Sequence, residues 1–332
     1  MEKLPYSRIA VTGASGYVGR QVVAALAEGH SVARVLALDI RLPEESERRA
    51  GVAYEEADVR SADFTEIFRR HGIELVVHLA AIVTPPAGMT RELEFAVDVT
   101  GTGNVLAGCT GAGVRKIIYT SSGAAYGYHA DNPGLLREDD PLRGNPEFAY
   151  SDHKRLVEEM LERWRESHPE LVQLILRSGT ILGADAHNQI TDMFDRAVVF
   201  GVRGATAPFV LVWDQDVVGA ILHAIHAGGS GIYNLAGDGT LALPEIARLL
   251  NKPYVALPAA LLGYALAMLH RLGLSQYGPE QVGFLRYRPV LDNSRLKKEF
   301  GYVPRRTTRE TFEFFVNARS NHSSGDYDAR AA

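Results

Sequence analysis

The stretch Thr12-Gly13-Ala14-Ser15-Gly16-Tyr17-Val18-Gly19 decides the fold of this chain. Residues 8–11, an apolar run typical of a buried strand, precede it, and residues 20–27 follow with apolar side chains at helical spacing. In a strand–loop–helix unit, Gly13 permits a tight turn, Gly16 lets the backbone approach a pyrophosphate, and Gly19 lets the helix pack close to the strand. The helix N-terminus then offers free N–H groups and a partial positive charge to the phosphates. The stretch therefore predicts a dinucleotide-binding unit.

Acidic or small residues end the next three predicted strands. Asp39 ends the run 32–38, where a carboxylate can accept hydrogen bonds from ribose hydroxyls and repel a 2′-phosphate, which favours NAD over NADP. The third strand, 52–57, is closed by Asp58-Val59, and the Asp58 carboxylate can face the adenine amino group. The fourth strand ends at Ala80-Ala81, which leave room for a flat cofactor. His78 lies inside that apolar run, so we expect a packed core histidine.

Strands and helices alternate over the first half of the chain. Helices are predicted at 64–71 and 91–110, and a fifth strand at 116–120 runs into Ser121-Ser122. This alternation predicts an α/β fold with a doubly wound parallel sheet. Ligands of such sheets bind at the carboxyl ends of the strands, where the glycine loop, the acids and Ser122 all fall.

Tyr150 and Lys154 are four residues apart near the start of a long predicted helix, so they share one face. A lysine beside a tyrosine favours the phenolate and lowers the tyrosine pKa from about 10 toward neutrality. Such a tyrosine can exchange a proton with an alcohol or a carbonyl compound. The Ser-rich strand end lies roughly 30 residues earlier, a spacing that suits a neighbouring strand and helix.

Composition excludes several classes of protein. The 332 residues carry a formal net charge of -5 without a block of Lys or Arg, so no nucleic-acid partner is expected. The lone cysteine, Cys109, allows neither a disulfide framework nor a cysteine metal site, and no metal is expected. Residues 1–5 lack the apolar core of a signal peptide, and no apolar run could span a bilayer. These features predict a cytoplasmic enzyme.

The chain resembles the extended branch of the short-chain dehydrogenase/reductase superfamily, the NAD-dependent epimerase/dehydratase family, over about residues 8–311. Nine segments in this order carry the resemblance, namely 12–19, 78–81, 98–102, 121–127, 150–154, 176–183, 212–217, 233–237 and 299–304.

The resemblance implies the site and the cofactor. Ser122 would hydrogen-bond the reacting oxygen, Tyr150 would be the general acid/base, and Lys154 would hold the nicotinamide ribose and tune Tyr150. The implied cofactor is NAD. The expected contacts are Gly13, Ser15, Gly16, Tyr17, Val18, Gly19, Asp39, Asp58, Val59, Leu79, Ala80, Ala81, Asp98, Tyr150, Lys154, Ser178 and Gly179. Asp98 departs from the family pattern, which has asparagine there. Family members often form homodimers through two long helices, here about 91–110 and 148–167.

The predicted organisation is a Rossmann-type domain at 1–177, a smaller, mostly helical substrate lobe at 178–316 and a disordered tail at 317–332. Parts of 205–240, including a strand at 231–235, are expected to complete the sheet. In the lobe, helices are predicted at 188–200, 214–227 and 244–250. Residues 258–272 are unusually apolar. They predict a buried helix or an apolar wall for a hydrophobic substrate, with a membrane-surface helix as the third alternative.

Three functions remain open on the sequence. The first is an NAD-dependent oxidoreductase that acts on a hydroxyl or carbonyl carbon of an apolar alcohol or ketone. The second is a nucleotide-sugar 4-epimerase that uses the same three residues. The third is a non-catalytic NAD-binding protein, which the intact catalytic set disfavours. Many sugar-nucleotide enzymes carry an arginine just before the strand near Phe209, and this chain has none there. With the apolar segment, this favours the dehydrogenase slightly, and Arg203, Arg286 and Arg288 remain the candidates for contact with a phosphate.

Overall fold

A computed structural model describes residues 5–29, 34–86, 88–227, 229–273 and 278–328, with the backbone alone at 227 and 321–328. The first half alternates strands and helices in the order β1 (Arg8–Thr12), α1 (Tyr17–Glu28), β2 (Arg34–Asp39), β3 (Val52–Glu56), α2 (Phe64–His71), β4 (Leu75–His78), α3 (Arg91–Phe95), α4 (Gly101–Ala112), β5 (Lys116–Ser122), α5 (Ala149–Ser167) and β6 (Val172–Ser178). The second half contains β7 (Thr180–Leu182), α6 (Gln189–Asp195), β8 (Val199–Val202), β9 (Leu211–Trp213), α7 (Asp214–Ala227), β10 (Gly231–Leu235), α8 (Leu243–Leu249), β11 (Tyr254–Leu257), α9 (Ala259–Arg271), α10 (Gln281–Arg286) and α11 (Thr308–Asp328).

Seven strands form one sheet in the order β10-β6-β5-β4-β1-β2-β3, and every neighbouring pair is parallel. One face packs against α1 and α7, and the other packs against α2, α4 and α5. The chain leaves the sheet centre in opposite directions from β1 and β4, which opens a crevice at their carboxyl ends. The predicted doubly wound parallel sheet is confirmed, and β10 lies beside β6 at one edge.

A single turn of π-helix at Ala96–Thr100 joins α3 to α4, so the predicted helix 91–110 is continuous but bulged. Such turns concentrate at functional sites because the extra residue re-aims nearby side chains. Asp98 lies within this turn.

A separate aromatic core holds the lobe together. Phe194, Phe209, Phe312 and Phe315 pack within it, alongside the two small sheets β11–β8 and β7–β9. The helix predicted over 188–200 is wrong at its end, since α6 stops at Asp195 and β8 begins at Val199. β8 pairs with β11 far along the chain, and no local pattern reveals such a pairing.

The C-terminal segment also differs from the prediction. Disorder was expected over 317–332, but α11 is helical as far as Asp328, and residues 329–332 lie outside the described part. Phe312 and Phe315 anchor the helix in the lobe core. Once a helix is nucleated, each added residue costs little, so polar composition alone does not end it.

Helix α9 is not the buried helix that the sequence predicted, because none of its side chains is buried. Among the described helices, none is both long and apolar enough to cross a membrane. Within the same described residues, no cluster of three or more His, Cys, Asp or Glu side chains could hold a metal ion.

Candidate active site

The glycine loop presses against the end of β4. Gly13 has φ +68°, and a Cβ atom there would lie 2.6 Å from the backbone nitrogen of Ala80. A Cβ at Gly19 would lie 2.0 Å from the Gly13 carbonyl oxygen. Both positions therefore exclude any larger side chain, which keeps the loop flat against the strand ends. The Tyr17 hydroxyl donates to the Asp214 carboxylate at 2.6 Å and ties the loop to the start of α7.

The two predicted adenosine-binding acids have protein partners. Asp39 accepts hydrogen bonds from the backbone N–H groups of Ser15 at 2.9 Å and Arg41 at 3.3 Å, so it braces the loop from the end of β2. Asp58 forms an ion pair with Arg60, whose hydrogen bonds hold the Asp58 pKa below its ordinary value. Val59 packs against α4, where a Cβ at Gly101 would lie 2.7 Å from its Cγ2 atom.

His78 is completely buried between two hydroxyl groups. Its Nδ1 lies 2.6 Å from Thr12 Oγ1, and its Nε2 lies 3.0 Å from Thr102 Oγ1. Burial lowers the pKa of His78 to about 3, so the ring is neutral. This is the core histidine that the sequence predicted.

A cavity of about 410 Å³ opens at the carboxyl ends of the strands. Many of the predicted site residues line it, namely Gly13, Gly16, Tyr17, Val18, Gly19, Leu79, Ala81, Ser122, Tyr150, Ser178 and Gly179. The other predicted residues, Ser15, Asp39, Asp58, Val59, Ala80, Asp98 and Lys154, are not among its lining residues. The fold thus brings the glycine loop and the Ser122–Tyr150 pair to one cavity.

Tyr150 is half-buried and lines the cavity together with Ser122. Burial raises its pKa to about 12, while the nearby Ser122 hydroxyl acts in the opposite direction. This differs from the expected shift toward neutrality. Loss of hydration disfavours the phenolate, and the Lys154 ammonium lies 5.9 Å from the Tyr150 ring centroid and is bonded elsewhere.

Lys154 is buried, and its Nζ donates to the Tyr119 hydroxyl at 2.9 Å and to the Thr120 carbonyl oxygen at 3.0 Å. Desolvation lowers the Lys154 pKa to about 8, while the carboxylates of Asp98 and Glu158 act against this shift. Sequence reasoning missed Tyr119 because nothing local distinguishes it from any other aromatic residue in a strand. Its position three residues before Ser122 on β5 places it under α5.

Asp98 is turned into the protein. One carboxylate oxygen accepts the Ile82 N–H at 2.8 Å, and the other lies 3.0 Å from His153 Nδ1. Asp98 and His153 are both buried, and His153 lies one residue before Lys154 on α5. The pair therefore ties the chain after β4 to the helix that carries Tyr150 and Lys154.

Aromatic rings form part of the cavity wall. Tyr128 lies between Phe148, with ring centroids 5.5 Å apart, and Phe284, with centroids 5.3 Å apart. Phe209 belongs to the same wall. The apolar helix α9 is not among the elements that line the cavity, so the prediction of α9 as a pocket wall is wrong.

Arg288 projects into this wall and is 8% exposed. Its guanidinium carbon lies 3.8 Å from the Phe209 ring centroid, and it donates to the carbonyl oxygens of Ala207 at 2.5 Å and Leu285 at 3.1 Å. It forms no ion pair with any described carboxylate, and its buried Nε has no hydrogen-bond partner within the same residues. Desolvation lowers its pKa to about 9. Of the three arginines named from the sequence, Arg288 is the one that lines the cavity.

Comparison with known proteins identifies the class. The model of the NAD-dependent epimerase/dehydratase family matches residues 9–236, so the chain belongs to that family. It is 28% identical over 316 residues to an uncharacterized protein of Mycobacterium tuberculosis, covering 94% of this chain and 84% of the relative. It is 28% identical over 331 residues to a UDP-glucose 4-epimerase of Mycolicibacterium smegmatis, covering 93% and 99%. MoeE5, solved in complex with UDP-glucuronic acid and NAD, superimposes with a TM-score of 0.73 at 21% identity, covering 95% of this chain and 99% of MoeE5.

The chain is thus an NAD-dependent enzyme of the epimerase/dehydratase type, and its cofactor is NAD. The residues present fit this cofactor. Gly13 and Gly19 leave a cradle that a Cβ would fill, and the cavity that begins at the cradle continues to Ser122 and Tyr150.

Proposed function

We propose that the enzyme acts on a nucleotide sugar and inverts a hydroxyl-bearing carbon, as a 4-epimerase does. The observation that carries this proposal is Arg288, a buried cation in the cavity wall whose described partners are only carbonyl oxygens and aromatic rings. A buried charge without a counter-charge is costly, and a phosphate of the substrate would supply one. The sequence has no arginine just before the strand near Phe209, where many sugar-nucleotide enzymes carry one. Arg288 comes from another segment of the chain, and its guanidinium lies over the Phe209 ring.

The site geometry supports the proposed catalytic roles. NAD, when bound, supplies a hydride acceptor and donor. Ser122 lies beside Tyr150 and would hydrogen-bond the reacting oxygen, while Tyr150 would take the proton of that hydroxyl and return it. Lys154, held by Tyr119 and Thr120, places a positive charge behind Tyr150. Phe148 and Tyr128 would close the sugar subsite against water.

A dehydrogenase for an apolar alcohol is the second candidate. The rings of Tyr128, Phe148, Phe209 and Phe284 support it because they offer a neutral substrate a large apolar contact surface. The two functions differ in the role of Arg288. A nucleotide sugar would pair a phosphate with the guanidinium, whereas a neutral substrate gives the guanidinium no charged partner.

The test is turnover by the purified protein with NAD, given UDP-glucose or UDP-galactose in one series and apolar secondary alcohols in the other. We expect conversion of one UDP-sugar to its isomer without net NADH. Arg288→Gln should raise KM for the UDP-sugar by about tenfold to a hundredfold, the equivalent of about 1.5–3 kcal/mol for a hydrogen bond to a charged group. Arg203→Gln is the matched control, because Arg203 is exposed and does not line the cavity. Net NADH from an alcohol, with KM unchanged by Arg288→Gln, would overturn the proposal in favour of the dehydrogenase.

Tyr150→Phe tests the chemistry separately from the substrate. The variant should lose about a hundredfold or more in kcat while it still binds NAD, because it lacks the phenolic hydroxyl that exchanges the proton but keeps the ring. Ser122→Ala should leave NAD binding intact and lower kcat by a smaller factor. A Tyr150→Phe enzyme with full turnover would refute the assignment of the proton donor.

A further inference from the structure

Helix α9 exposes an apolar stripe along its whole length. Leu261, Tyr264, Met268 and Leu272 follow one another at spacings of three and four residues, so they lie on one face. Their exposed fractions are 54%, 67%, 40% and 63%. We call these four residues the α9 stripe. Single exposed apolar residues are ordinary, but a continuous stripe marks a surface that another body covers.

The segment of the chain that carries the stripe has charges of one sign. Residues 246–279 contain no Asp or Glu, although the chain as a whole has a net charge of -5. A cation stands at each end of the helix. Arg271 ends α9, and Arg203 lies at its start, because its backbone N–H donates to the Leu257 carbonyl oxygen at 2.8 Å. Both side chains are exposed, and neither forms an ion pair with another side chain in the part of the chain that the structure describes. Glu280, on the neighbouring α10 side, instead accepts a hydrogen bond from the Gly278 N–H.

The dimensions and the charges point to one kind of surface. Thirteen residues of helix extend about 20 Å, too short for the ~30 Å hydrocarbon core of a bilayer but suited to lying in its interface. A second copy of this chain fits poorly, since a two-fold contact would bring the same cations together without an acid to pair them. Anionic lipid headgroups would pair with Arg203 and Arg271, and Tyr264 is a residue type that favours the water–lipid boundary.

We propose that α9 docks on the surface of an anionic lipid bilayer, with the α9 stripe in the interface and with Arg203 and Arg271 at the level of the headgroups. Helix α9 lies beside an element of the cavity wall. A Cβ atom at Gly263 of α9 would lie 3.7 Å from Val282 Cγ2 of α10, and α10 carries Phe284 in the cavity wall. This proposal concerns a surface that the catalytic reaction does not use.

The experiment is co-sedimentation of the full chain with vesicles of phosphatidylcholine, with and without phosphatidylglycerol. We expect sedimentation with the phosphatidylglycerol vesicles, weaker binding at high salt, and weak binding to phosphatidylcholine alone. The double variant Tyr264→Ser/Met268→Ser should weaken binding by at least about tenfold, because it removes two large apolar side chains from the lipid contact. Arg271→Glu should weaken binding to the anionic vesicles in particular.

The control is Leu135→Ser/Val303→Ser, which removes two exposed apolar side chains elsewhere, at 54% and 62% exposure. NAD binding checks that every variant is folded. Absence of the wild-type chain from the phosphatidylglycerol pellet would overturn the proposal, and so would equal losses in both double variants. A fall in molar mass in solution caused only by Tyr264→Ser/Met268→Ser would also overturn it and would assign the stripe to a second copy. Because sedimentation needs no turnover, its failure is distinct from failure of the proposed reaction.

Discussion

Asp98 stands where the family resemblance leads us to expect an asparagine. An asparagine there could both donate and accept, whereas an aspartate carboxylate only accepts. The structure supplies donors on both sides, the Ile82 N–H and the His153 ring. The substitution therefore preserves the connection between β4 and α5 but adds a buried negative charge behind Tyr150 and Lys154. That charge raises the pKa of Tyr150 and of Lys154.

Asp98→Asn tests this electrostatic role. Because the carboxylate raises the Tyr150 pKa, its removal should lower that pKa, and the rise of kcat/KM with pH should move to lower pH by about half a unit to one unit. The measurement is the pH profile of kcat/KM for variant and wild type. Glu94→Gln is the control, since Glu94 faces His153 but does not contribute to the Tyr150 shift. Superimposable profiles for Asp98→Asn and wild type would reduce Asp98 to a purely structural role.

Single residues also show where sequence reasoning stops. Ser122, Tyr150 and the glycines were predicted as site residues from local motifs and from the family resemblance, since these patterns span only a few residues each. Tyr119 was missed, and Arg288 was named only as one of three candidates for contact with a phosphate. The reason is that the partners of both residues are remote in the sequence. Lys154 lies 35 residues after Tyr119, and Arg288 contacts a carbonyl oxygen 81 residues away.

At the scale of elements, the β1–α1 unit depends on a close contact between α1 and the loop after β1, which only glycine allows. A Cβ at Gly19 would lie 2.0 Å from the Gly13 carbonyl oxygen, within the backbone itself, so no side-chain rearrangement could relieve the clash. The helix would have to move away from the strand, and the cradle for the pyrophosphate would open.

Gly19→Ala should therefore weaken NAD binding by more than about tenfold and cost about 1–3 kcal/mol of stability. Binding is measured by titration calorimetry and stability by thermal unfolding. Gly134→Ala is the matched substitution, because nothing lies within 4 Å of a Cβ at that glycine. Normal NAD affinity in Gly19→Ala would contradict the assigned role of the loop.

Elements were predicted best where periodicity is local. The ranges of α2, α7 and β10 coincide with the predictions, and the parallel sheet follows from their alternation. The short strands β7, β8 and β11 were missed, and β9 was expected near Phe209 but pairs with β7 outside the main sheet, since each of the four pairs in a two-stranded sheet whose other strand lies far along the chain. Their sequences carry too few residues for a period to show.

At the scale of the whole molecule, the buried His78 on the central strand β4 makes the free energy of unfolding depend on pH. Its folded pKa is about 3, against about 6.5 when exposed. The ring is neutral in the fold, so the unfolded chain takes up a proton first as the pH falls. The stability from this depressed pKa is complete above about pH 6.5 and is lost progressively down to about pH 3.

The wild type should therefore lose about 2 kcal/mol of unfolding free energy through His78 between pH 7.5 and pH 5, and His78→Gln should not show this part of the loss. Urea unfolding at the two pH values measures the difference. His226→Gln, at an exposed histidine, should behave as the wild type does. An equal pH dependence in His78→Gln and wild type would show that His78 does not drive the loss.

The sequence by itself predicted the dinucleotide-binding unit, the parallel sheet and NAD as the cofactor, and the sheet and the cofactor are confirmed. These predictions came from glycines, strand-end acids and apolar periods, which are patterns of a few residues that can be recognised without a structure. The tertiary structure decided which groups surround Lys154, that Arg288 is buried in the cavity wall while Arg203 stays outside, and that α9 turns its apolar stripe outward. Each of these findings depends on contacts between segments that are distant in the sequence. The free energy of such contacts arises only when the chain is folded and packed, so no single stretch of the sequence reveals it.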